Sequence, residues 1–138
     1  MPVRRTPCPD CGRTYYEWGA AKMIEAARTT TGECRADEFI KKLENSRKPK
    51  DAQRLADILV RLERFAATGT LAVPRELNDL RDGIREIKAG DVRLPFFDVP
   101  RTFSGAIRLT GGFLKRSWRT PRNHIDEAIW VRREDLAS

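Results

Sequence analysis

Apolar residues recur at three- and four-residue steps through Leu55, Ile58, Leu59, Leu62, Phe65 and Ala66, the period of one broad helical stripe. Asp51 stands where an N-cap carboxylate accepts first-turn amides, and Gly69 where a left-handed residue closes a helix. A shorter stripe, Phe39, Ile40 and Leu43, predicts a helix from Asp37 to Lys48 that Pro49 stops. The link Pro49-Lys50 is short enough to fold the two helices antiparallel.

Elsewhere the period is nearer two. Met23 to Thr30 alternates in part and predicts a strand, ended by the cluster Thr30, Thr31 and Gly32. Ile84 to Ala89 alternates, Gly90-Asp91 offers a tight hairpin turn, and Val92 to Asp98 returns. Pro95 inside that run argues against a central position or marks a bulge. Pro100 to Gly105 reads as a loop. Ala106 to Thr110 predicts another strand, with Ile107 and Leu109 on one face and Arg108 opposite. Thr120-Pro121 reads as N-cap and first residue of a last, short helix carrying His124, Ile125, Ala128 and Ile129.

Helices segregated from a meander predict an α+β fold: an N-terminal strand, an antiparallel helix pair on a twisted antiparallel sheet, and a short C-terminal helix. Residues 1–22, broken by Pro2, Pro7, Pro9, Gly12 and Gly19, read as an irregular extension ahead of a body at 23–138.

The 138 residues suit one domain, and 40% hydrophobic content is enough for one core. No apolar run reaches the roughly 20 residues of a membrane span, and the first residues lack the apolar core of a secretion signal. Three cysteines, Cys8, Cys11 and Cys34, are too few and odd for a disulfide scaffold, so a reducing cytoplasm is expected.

Charge changes the picture more. The chain carries 27 basic and 20 acidic residues, net +7, with one histidine. From Arg93 to Arg122 stand Arg93, Arg101, Arg108, Lys115, Arg116, Arg119 and Arg122, with Asp98 the one acid. A solubilising surface mixes signs; this window does not, and it predicts a polyanionic partner.

The ordered set Leu80, Gly83, Glu86, Gly90, Arg93, Gly112-Phe113, Lys115-Arg116, Thr120-Pro121 and Ala128 resembles the RelE/ParE toxin superfamily, in particular its phage-derived HigB-like branch. The upstream run from Met23 to Leu43, MIEAARTTTGECRADEFIKKL, is similar to that family's first strand and first helix. The resemblance spans about residues 23 to 135. It implies a RelE-like fold and a toxin of a type II toxin–antitoxin pair, usually a ribosome-dependent mRNA endonuclease (an mRNA interferase). The implied partners are mRNA on the ribosome and a small cognate antitoxin, often a helix-turn-helix protein, in a hetero-oligomer. No cofactor, metal or membrane is implied.

Cleavage by RNA's own 2′-hydroxyl needs a proton acceptor, charge stabilisation on the phosphate and a proton for the leaving oxygen. Arg93 is the first candidate for the phosphate, because a guanidinium is always charged and offers a bidentate fork. Lys115 and Arg116 match the family's paired basic residues. His124 has the one side chain whose ordinary pKa suits proton transfer near neutrality. Lys88, Arg108, Arg119 and Arg122 are candidates for RNA backbone contact. The sequence departs from the family where lysines line the first meander strand: Ile84 and Glu86 stand there, with Arg85 opposite. A tyrosine of the final helix gives way to His124 or Ile125.

Cys8 and Cys11, in CPDCG, have zinc-knuckle spacing, but a structural zinc takes four ligands. Two further readings are a ParE-like DNA gyrase inhibitor and a non-enzymatic module binding nucleic acid or zinc. Tyr15, Tyr16 and Trp18 are of a type that stacks bases, but covering the sheet edge or filling core gaps is the stronger expectation.

Overall fold

The computed structural model describes residues 3–8, 12–99, 105–116 and 119–137. Its chain order is β1 (Thr6–Pro7), β2 (Thr14–Trp18), β3 (Lys22–Ala26), α1 (Arg35–Glu44), α2 (Pro49–Thr68), β4 (Leu77–Asp79), β5 (Arg85–Ala89), β6 (Val92–Val99), β7 (Gly105–Leu109), β8 (Phe113–Leu114) and α3 (Arg122–Ala137). The class is α+β. No helix among the described residues is long and apolar enough to cross a membrane.

The strands form one eight-stranded sheet in the order β1-β2-β3-β7-β6-β5-β4, with β8 pairing β6 beyond the end of β7. The sheet is mixed, which corrects the expectation of a wholly antiparallel one: β3 runs parallel to β7, Ile24 beside Ile107. A parallel pair needs a long crossover. Here that crossover contains both helices and the whole β4–β6 meander. A second correction concerns residues 1–22. Those described are not irregular, since β1 and β2 extend the sheet and the β2–β3 hairpin seats Ala21 N–H on the Ala66 carbonyl at 3.0 Å.

Alternation sorts the strand residues onto two faces. Ile24, Ala26, Ile87, Ala89, Leu94, Phe96, Ile107 and Leu109 face α1 and α2, where they meet Ile40, Leu55, Ile58, Leu62 and Phe65. Phe65 and Phe96 meet edge to face at 5.8 Å. Burying each such side chain contributes about 1.5–3 kcal/mol. The opposite face is covered at one end by α3, through Ala128 and Val131 on Ala27, Ile84 and Phe97.

The punctuation acts as its chemistry requires. Gly69 closes α2 at φ 74°, and Gly90 turns the β5–β6 hairpin at φ 61°. Helix α2 begins earlier than expected, with Pro49 in its first turn and Lys48 as cap. Asp51 instead accepts from Ser46 and pairs with Arg54. Pro95 sits in a central strand because its carbonyl, and with it the side that lacks an N–H, faces the gap between β7 and β8. Thr110 fills that gap by donating to the Pro95 carbonyl at 2.8 Å.

The N-terminal segment is tied to α1 by charge. Arg5 bonds Asp37 at 2.7 Å and also Glu44, Tyr16 donates to Asp37 at 2.6 Å, and Val3 N–H donates to Glu44 at 2.8 Å. Burial pushes the Asp37 carboxyl up, but bonds from Tyr16, Arg5 and Lys41 outweigh it and hold it below 3.8. The Arg5 bond holds Glu44 below 4.5. Depressed carboxyls contribute stability that is full above their unfolded values and lost as pH falls through the folded ones. Between about pH 6 and pH 3 the urea midpoint is therefore expected to fall, and to fall less in Arg5→Met. Equal falls in both proteins would rule out this linkage.

Candidate nucleic-acid interface

On the α3 side of the sheet, beyond the part that α3 covers, lies a hollow of about 540 Å³. Strand β5 contributes Glu86 and Lys88, two residues apart and so on one face. Strand β6 contributes Arg93, the segment after β8 contributes Lys115, and the entry to α3 contributes Arg119 and Thr120. Asn78 and Asp79 form the β4 wall. Thus Lys88, Arg93, Lys115 and Arg119, four of the expected contacts, meet in one place.

The register puts Lys88 directly opposite Arg93, and Arg93 directly opposite Phe113. Like charges facing each other across two strands destabilise a sheet, so this rung favours an anion between them. Arg93 is 7% exposed. Its Nη1 donates to the carbonyls of Gly90 and Val92 at 2.8 and 2.9 Å. These bonds aim the guanidinium and leave its charge intact. Burial lowers its pKa, against the raising pull of Glu86 and Asp91.

The obvious structural partner for Arg93 is otherwise engaged. Among the described residues Arg93 makes no ion pair within 4.0 Å, and both Glu86 carboxylate oxygens lie 2.8 and 2.9 Å from the Thr120 hydroxyl. Asn78 Nδ2 is 3.5 Å from the same group. Thr120, expected as a helix cap, instead ties the start of α3 to β5 and so holds Arg119 over the hollow. The Asp79 carboxylate is answered from outside by Arg85 at 3.0 Å.

Other expected contacts fall elsewhere. Arg108 is engaged inside the fold instead of in the hollow: it donates to Asp135 at 2.5 Å and to Glu25 at 3.2 Å, beneath α3. The net charge available at the surface is smaller than the window suggests for that reason. Arg101 lies outside the described residues. Arg122 is exposed on α3 and 3.9 Å from Asp126, away from the hollow's lining. Arg116 and His124 line a neighbouring groove, where the His124 ring stacks on Phe113 at 3.8 Å. His124 is therefore set beside the hollow and not in its lining.

Cys8 is buried with Met23 and Ala106 on the α3 side of the sheet, and Cys34 caps α1 on the other. Burial raises the Cys34 thiol pKa. Cys11 lies outside the described residues. Among the described residues no cluster of three or more His, Cys, Asp or Glu stands ready to hold a metal.

Sequence reasoning missed Asn78, because β4 is three residues long and carries no period. It also missed Asp135, whose signal was present: it falls on the Ala128–Val131 stripe where an apolar residue belongs. No protein-family model matches the chain, and no curated protein matches it.

Proposed function

We propose that the chain is a RelE-like toxin of the HigB-like kind, an endonuclease that cuts mRNA on the ribosome in the cytoplasm and is silenced by a cognate antitoxin. The observation that carries this reading is the Lys88–Arg93 rung with Lys115 and Arg119 around one hollow. Among the described lining residues, four cations stand against two carboxylates, one of them answered from outside, a balance that suits a phosphodiester.

The work such a site does is electrostatic. When a 2′-hydroxyl attacks the adjacent phosphorus, negative charge grows on the non-bridging oxygens. Fixed donors aimed at that charge stabilise the transition state more than the ground state. Arg93 supplies a preset fork, Lys88 and Lys115 supply point charges that grip the backbone, and Arg119 adds a second guanidinium to the lining. The helix pair over the far face and α3 over the near one hold the sheet between them.

Purified protein incubated with a ribosome programmed with mRNA is expected to cut the message, and induced expression is expected to arrest growth. Intact message at stoichiometric dose would remove the endonuclease reading.

A further inference from the structure

Helix α2 carries a second stripe beside the one that builds the core. Ala56, Leu59, Val60 and Glu63 follow at three- and four-residue steps and line a groove of about 630 Å³ between α2 and the β1–β2 edge of the sheet. Across from them stand Tyr15, Glu17 and Trp18 of β2, ahead of the span that resembles the toxin family. The Tyr15 and Trp18 rings meet edge to face at 5.7 Å. Trp18 is 53% exposed and Val60 64%. The two carboxylates of the groove, Glu17 and Glu63, make no ion pair within 4.0 Å among the described residues. Burial, and then the charge of Glu63, raise the Glu17 pKa against the pull of Arg4. Two like charges beside an apolar wall favour a cation brought from outside.

The end of α3 presents the complementary chemistry. Trp130, Arg133 and Leu136 stand three residues apart on its outer side, and Leu136 is 62% exposed. The Arg35 guanidinium covers one face of Trp130 at 4.8 Å. Arg133 is exposed and makes no ion pair within 4.0 Å among the described residues. The bonds of Asp135 to Arg13 and to the Arg28 amide hold this end of α3 beside the start of β2 and the end of β3. The acidic groove and the basic helix end therefore flank one sheet edge, on opposite faces.

We infer that the chain forms a two-fold dimer about its β1–β2 edge, in which the end of each α3 enters the groove of the other copy and Arg133 meets Glu17 and Glu63. A two-fold axis along that edge turns the α2 face of one copy toward the α3 face of the other. Both grooves are then filled by the same operation, and the contact closes instead of growing into a fibre. Five large apolar side chains are exposed among the described residues, and the contact covers four of them, Trp18, Val60, Trp130 and Leu136. Pro7 stands in the edge strand and lacks an N–H, so side chains and not a continued sheet make the contact. The inference does not rest on the endonuclease reading.

Sedimentation equilibrium on protein freed of nucleic acid, from about 1 to 200 µM, tests this. A monomer–dimer equilibrium with a micromolar dissociation constant is expected. Each substitution acts twice in a two-fold contact, so Val60→Asp and Leu136→Asp are each expected to weaken it at least about tenfold. Arg133→Glu is expected to weaken it too, although a lower net charge by itself favours association. Glu63→Arg is expected to do the same, and the two exchanges together to restore most of the affinity. Urea midpoints on the same preparations show that each variant is folded. Protein that stays monomeric throughout the range overturns the dimer. Association untouched by Val60→Asp and Leu136→Asp overturns this surface, and a double exchange no tighter than either single one overturns the pairing of Arg133 with Glu63.

Discussion

Replacing Asp135 by asparagine is expected to cost about 3–5 kcal/mol of stability, the range found when one member of a buried charge pair is removed. Asp135 is fully buried. It accepts from Arg13 at 2.7 Å, from Arg108 at 2.5 Å and from the Arg28 amide at 2.9 Å. Glu25, also fully buried, accepts from Arg108 at 3.2 Å. Among the described residues, Arg13 and Arg108 are the cations that meet these two buried carboxylates. Asparagine keeps the shape and removes one anion, which leaves the buried Arg13 and Arg108 guanidiniums without that carboxylate under α3. The bond pattern worsens as well, since an amide nitrogen faces either the Arg108 guanidinium or the Arg13 guanidinium together with the Arg28 amide. Asp126→Asn on the exposed side of the same helix serves as the control, and a change within about 0.5 kcal/mol is expected there. Urea midpoints measured on both proteins decide the matter. A midpoint for Asp135→Asn equal to that of the control would show that the network contributes nothing to holding α3 on the sheet.

That network also shows where the sequence stops being informative. Helix α2 was legible because one stripe of six apolar residues and a closing glycine leave a single solution, and the β5–β6 hairpin because Gly90-Asp91 fixes its register. The β2 strand was not: Tyr15, Tyr16 and Trp18 lie among prolines and glycines, and what makes them a strand is a partner, β3, that also pairs with β7 far along the chain. Parallel pairing of β3 with β7 leaves no local mark at all. The same holds for charge. Arg108 and Arg93 both alternate with apolar neighbours on central strands, and nothing in their own segments separates them. Arg108 meets Glu25 and Asp135 from elements distant in sequence, whereas Arg93 meets Lys88 from the adjacent strand. Which arginine is used up inside and which is left for a ligand is decided by tertiary neighbours.

Arg93→Met is expected to abolish RNA cleavage, with a loss of at least about 100-fold, while stability stays within about 1 kcal/mol of the parent. The two halves of this expectation have different causes. On the proposed endonuclease reading, loss of activity follows from removing the donor that would face the growing phosphate charge, and methionine fills similar space without a charge. Near-neutral stability follows because the substitution relieves both a repulsion and a desolvation. Lys88 no longer faces a like charge across the β5–β6 pair, a gain of about 0.2–1 kcal/mol. Against that, the Gly90 carbonyl and the buried Val92 carbonyl lose a donor, a loss of about 1 kcal/mol that the relief offsets. Arg93→Lys is expected to stay impaired, since an ammonium lacks the fork and cannot hold both carbonyls while meeting a phosphate. A structural arginine behaves in the opposite way: its loss lowers the unfolding midpoint by several kcal/mol and activity falls only with the folded fraction. Single-turnover cleavage on programmed ribosomes, read beside urea midpoints for the same preparations, separates the two. Full cleavage by a folded Arg93→Met protein would remove Arg93 from the reaction.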